Sequence, residues 1–137
     1  MQPQCFVDTW FLVALFDSSD EHHQRAKRID RMVRNAYLFT HDGVLSEFLT
    51  HVADEGPRVR ARAVEVVRRM LAERRVVASD RSLFLRALDL YSRRDDKQYS
   101  LVDCMSMTVM RERGVDQVLT NDHHFRQEGF ALLNDAP

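Results

Sequence analysis

The sequence predicts an α/β domain with a mostly parallel sheet of about five strands and helices on both faces. Three observations predict it. Short apolar runs rich in Val, Phe, Leu and Thr alternate with longer stretches of helical periodicity. Asp, Ser and Gly fall at the junctions, where caps and stops belong. The chain has 137 residues, enough for one core and one domain spanning 1–137.

The elements follow in order. Cys5–Asp8 (CFVD) reads as a short buried strand, and WFLVALF after it as the start of a helix. Ser19 or Asp20 is placed to cap a second helix through HHQRAKRIDRMVRN, with Ala26, Ile29 and Val33 as its apolar face. Tyr37–Thr40 is the second strand. Asp42 is the expected N-cap of GVLSEFLTHVAD, which Gly56-Pro57 ends. The helix from Pro57 carries an apolar stripe of Val59, Ala63, Val66, Val67, Met70 and Leu71. Val76–Ser79 is the third strand, and Asp80 caps SLFLRALDLYSRR. The loop DDKQYS leads to a helix capped by Ser100 and stopped by Gly114. Gln117–Thr120 is the fourth strand, and Phe130–Leu133 a fifth at the edge.

Composition narrows the function. With 45% hydrophobic and 30% charged residues and no long apolar stretch, the chain reads as a cytoplasmic globular protein with no membrane span. The apolar N-terminus lacks a basic region and is interrupted by Asp8, so it is a poor signal peptide. Cys5 and Cys104 sit among apolar neighbours and read as buried free thiols. There is no G-x-G-x-x-G, no Walker loop and no G-x-S-x-G elbow. Net charge is −1, but seven arginines against two glutamates fill Pro57–Arg75. They form either a solvated helix face or a phosphate-facing patch.

Ligands of open α/β sheets bind beyond the carboxyl ends of the strands. Asp8 and Asp122 lie at such ends. Glu47 and Asp103 lie in the first turns of helices. Each has a plain structural role open to it: strand-end hydrogen bonding for Asp8, solvent for Glu47, helix capping for Asp103 and Asp122. Together they make a different case. Carboxylates crowded in one cleft raise one another's pKa unless a cation compensates, and hard oxygen donors suit Mg²⁺ or Mn²⁺. His123 and His124 are adjacent, so a helix points them in different directions, and they form no H-E-x-x-H pair; His22 and His23 read as helix surface or cap residues, and none of the four reads as a zinc ligand.

The chain resembles PIN-domain proteins of the VapC toxin type. The resemblance rests on FVDTWFLVALFDSSDEHHQRA, VLSEFL and SLVDCMSMTVMRERGVDQVLTNDHHF, in order and across nearly the whole chain. It implies a three-layer α/β/α sandwich and a metal-dependent endoribonuclease that uses a metal-activated water. It implies Asp8, Glu47, Asp103 and Asp122 as metal-holding acids, with Thr120 orienting a carboxylate or water. Asn121 assists the pocket or shapes the turn, and Asp96 approaches it. The implied cofactor is Mg²⁺, with Mn²⁺ as a substitute. The implied partners are an RNA substrate, a small antitoxin and a second copy of the chain. Candidate suppliers of positive charge for RNA are Arg58, Arg60, Arg62, Arg68, Arg69, Arg74 and Arg75. The alternatives are a PIN nuclease of RNA processing without an antitoxin, and a catalytically silent binding scaffold.

Overall fold

The computed structural model describes residues 2–133. Its five strands are β1 (Gln4–Val7), β2 (Tyr37–His41), β3 (Val76–Val77), β4 (Gln117–Leu119) and β5 (Ala131–Leu132). They form one sheet in the order β3-β2-β1-β4-β5, and every pairing is parallel. The expected "mostly parallel" sheet is therefore wholly parallel among the described residues.

Parallel neighbours need crossover connections, and these are right-handed almost without exception. The chain steps from β1 outward to β2 and β3 through α1 (Thr9–Phe16), α2 (His23–Met32), α3 (Asp42–His51) and α4 (Pro57–Ala72). It then returns across the sheet to β4 and β5 through α5 (Arg81–Arg93), α6 (Leu101–Arg113) and α7 (His124–Gln127). Reversing direction with one handedness puts the two helix groups on opposite faces, which gives three layers. β1, flanked on both sides, is the core strand: Cys5, Phe6 and Val7 are buried.

Several local expectations shift by a residue or two. Asp42 is the first residue of α3 rather than its cap. His41 holds the cap position, and its Nδ1 accepts the Gly43 N–H at 3.0 Å. Asp42 instead accepts the Ser79 N–H at 2.6 Å, tying α3 to the end of β3. Burial pulls the His41 pKa down to about 4, so the ring stays neutral. Its Nε2 meets the Ser106 hydroxyl at 2.9 Å. Asp20 does not cap α2 directly; it accepts the N–H of His22, which holds that position. The expected stripes of α2 and α4 point inward except Leu71, which is half exposed. Cys5 and Cys104 are buried and unbridged.

Candidate active site

The strand order reverses at β1, so the crevice beyond β1 and β4 is the place a ligand enters such a sheet. The register fixes what meets there. Val7 pairs with Leu119, so the next residues, Asp8 and Thr120, emerge side by side. The Thr120 hydroxyl donates to Asp8 Oδ2 at 2.7 Å. The same Thr120 oxygen accepts the Asp122 N–H at 3.1 Å. One buried hydroxyl thus fixes two of the acids.

Asp103 arrives from the other side. Ser100 caps α6, and its hydroxyl accepts the Asp103 N–H at 3.0 Å. Asp103 Oδ2 in turn accepts the Ser100 N–H at 3.0 Å. The capping role is therefore real. It also leaves Asp103 facing Asp122 and His124, whose candidate donor atoms lie with its own within 4.8 Å of one another. His124 Nδ1 stands 3.1 Å from Asp122 Oδ1 and 3.9 Å from Asp103 Oδ2. Asp122 also accepts the His124 N–H at 2.9 Å, which fixes the start of the short α7, whose cap position is His123.

The electrostatics show what this arrangement lacks. Asp8 is only 7% exposed. Burial raises its pKa from 3.8 to about 7, and the charges of Asp103 and Asp122 push the same way. The Thr120 hydrogen bond offsets part of this. Burial, with Asp122 adding to it, also raises Asp103. Among the described residues, no lysine or arginine stands within ion-pair distance of these three acids. A set of oxygen donors with no protein cation fits a hard divalent ion.

Glu47 is not in this group. It is exposed on α3, and its Oε1 accepts the Thr9 hydroxyl at 2.5 Å. That tie holds it beside the residue following Asp8. It lines an open groove of about 530 Å³ with Thr9, Gly43, Ser46 and Val102. Asp96 is 70% exposed and pairs with Lys97, so it joins neither cluster.

Two residues at the site were not singled out for it by sequence. His124 carries no metal motif in the sequence, because adjacent histidines diverge on a helix. Its convergence with the acids comes from α7 beginning just there. Arg25 donates to the Asn121 side chain and lies over the Trp10 ring, 5.2 Å from its centroid. A cation from α2 therefore braces the β4–α7 turn, and Asn121 shapes that turn. The arginines of Pro57–Arg75 go elsewhere in part. Arg62 covers Phe16, Arg69 pairs with Glu65, and Arg75 bonds Glu73 and the Leu38 carbonyl.

The sequence pattern of the PIN domain family matches residues 5–130. The chain belongs to the PIN-domain family. The 23S rRNA-specific endonuclease VapC20 of two Mycobacterium tuberculosis strains is 32% identical over 126 residues, 91% of this chain and 94% of that protein. The crystal structure of VapC20, described as a Sarcin-Ricin loop cleaving toxin, matches with a TM-score of 0.81 at 30% identity. That match covers 95% of this chain and 98% of the other. FitAcB from Neisseria gonorrhoeae matches with a TM-score of 0.65 at 14% identity, over 95% of this chain and 96% of that one. This last likeness is one of fold alone.

Proposed function

We propose that this PIN-domain protein is a divalent-metal-dependent endoribonuclease, the toxin of a toxin–antitoxin pair. The observation that carries this is the set of Asp8, Asp103 and Asp122, drawn together at the switch point with no lysine or arginine in ion-pair contact among the described residues. Similarity to a named rRNA endonuclease over 91% of the chain supports RNA as the substrate and makes large-subunit rRNA the first one to test. Mg²⁺ is the proposed ion, with Mn²⁺ able to replace it, and the cytoplasm is the proposed compartment. No helix among the described residues is long and apolar enough to cross a membrane.

Asp103 and Asp122 would hold the ion, with Asp8 and Glu47 completing the acidic wall. When bound, a divalent ion lowers the pKa of water and neutralises charge at the attacked phosphorus. The protein's own residues do the positioning. Thr120 spends its hydroxyl hydrogen on Asp8, is fully buried and is no candidate nucleophile. Its role is to hold the Asp8 carboxylate toward the crevice. Ser100 fixes the Asp103 rotamer through the reciprocal cap. Arg25 and Asn121 brace the turn that presents Asp122.

A groove between α1 and α4 supports the antitoxin part of the reading. It is lined by Leu12, Leu15, Phe16 and Val66, with Arg62 and the Arg69–Glu65 pair beside them. An amphipathic helix with acidic flanks suits such a surface. Self-association into a homodimer completes the proposed assembly.

The test is cleavage of purified RNA, rRNA included, with Mg²⁺, with Mn²⁺ and with chelator. Asp8→Asn and Asp103→Asn proteins run in parallel. Metal-dependent cleavage lost in both variants is the expected result. Equal cleavage by both would overturn the assignment.

A further inference from the structure

We infer that His124 is a nitrogen ligand of the divalent ion, and that it biases this site toward Mn²⁺ over Mg²⁺. The inference rests on the metal-dependent reading above and deepens it.

The ring is held in place by its surroundings. Asp122 fixes the His124 backbone, Phe125 anchors α7 in the core with no exposed surface, and Tyr99 meets the ring edge-on at 5.5 Å. His123 packs against it at 5.3 Å. So placed, Nδ1 is buried between two carboxylates, 3.1 Å from Asp122 and 3.9 Å from Asp103. Despite that closeness, Nδ1 makes no hydrogen bond among the described residues. A ring N–H serving Asp122 would be aligned with it, and this contact is not. A bare nitrogen lone pair against two carboxylate oxygens is unfavourable unless a cation lies among them. The three donor atoms already converge within 4.8 Å.

The chemistry of such a set differs from that of acids alone. Mg²⁺ holds to oxygen ligands and water, whereas imidazole suits first-row transition metals. Replacing one oxygen donor by imidazole therefore favours Mn²⁺.

The test uses chelator-stripped full-length protein loaded with Mn²⁺ alone. Pulsed electron paramagnetic resonance reads ¹⁴N coupling to the bound ion, and calorimetry reads Mn²⁺ and Mg²⁺ affinities. His124→Phe keeps the ring volume beside Tyr99, His124→Ala removes it, and His123→Ala is the control. Nitrogen coupling should appear in the wild type and His123→Ala and vanish in both His124 variants. Mn²⁺ should bind those variants about tenfold more weakly, with Mg²⁺ changed by less than about twofold. Bound Mn²⁺ without nitrogen coupling in the wild type, or coupling that survives both His124 changes, overturns the inference alone. Failure of the folded wild type to bind Mn²⁺ at all overturns the metal-dependent reading and the inference with it.

Discussion

Glu128 and the Asp8–Asp103–Asp122 cluster are both acidic and at least partly buried, yet the fold treats them in opposite ways. The Glu128 side chain is 5% exposed. It receives Arg94 at 2.6 Å, Arg111 at 2.7 Å and the Tyr99 hydroxyl at 3.1 Å. Burial acts to raise its pKa, but these three hydrogen bonds win and hold it below the usual carboxylate range. Among the described residues the cluster has no such guanidinium partners, and burial holds Asp8 and Asp103 above that range. A carboxylate supplied with guanidinium partners is cross-linking the structure: Glu128 joins the end of α7 to α5 and α6. Carboxylates gathered without a lysine or arginine beside them are costly, and that cost is what the proposed divalent ion would offset.

The largest expected effect is on catalysis. Asp103→Asn should cut RNA cleavage on the order of a thousandfold while circular dichroism stays native. Glu128→Gln should leave cleavage within about threefold, because its network supports folding rather than chemistry. Equal losses in the two variants would erase the contrast.

Next comes stability in the metal-free protein. Asp8 holds its proton more firmly folded, with a pKa of about 7, than unfolded, near 3.8. Wild-type stability should therefore fall as pH rises from about 4 to about 7, and the full penalty should remain above that. Asp8→Asn removes the penalty. At pH 8 in chelator it should be more stable than the wild type by about 2–4 kcal/mol, with no difference near pH 3. A wild-type melting temperature that is flat over this range would contradict the burial argument.

Glu128→Gln should destabilise by about 1–2 kcal/mol. The value sits below that for a fully buried pair because Arg94 and Arg111 are partly exposed. Denaturant titration reads it. Ser100→Ala should be smallest, about 1 kcal/mol for the lost cap. It should also weaken metal binding, since Asp103 then loses one of its two constraints.

Much of this was legible in the sequence because the relevant signals are local. Strand runs bounded by caps and Gly stops placed all five strands within a residue or two, and the order of Asp8, Glu47, Asp103 and Asp122 pointed to one pocket. What stayed hidden depends on register and long-range contact. Asp42 has the letters of a cap, but its carboxylate is taken by Ser79, 37 positions away. Asp103 reads from sequence as either a cap or a site residue and is placed to serve as both: the Oδ2 that accepts the Ser100 N–H also lies 3.9 Å from His124 Nδ1. Glu47 shares the spacing of the other acids, yet only its bond to Thr9 shows that it stands beside the cluster rather than within it. His124 gives no motif, because its partners come from α6 and from the turn after β4.

The first measurement to make is calorimetric titration of Mg²⁺ and Mn²⁺ into chelator-stripped wild type, Asp103→Asn and Glu128→Gln. Binding by the wild type and Glu128→Gln, and its loss in Asp103→Asn, is the predicted result. Binding that survives Asp103→Asn, or that fails equally in Glu128→Gln, would mean that the uncompensated acids are not where the ion goes.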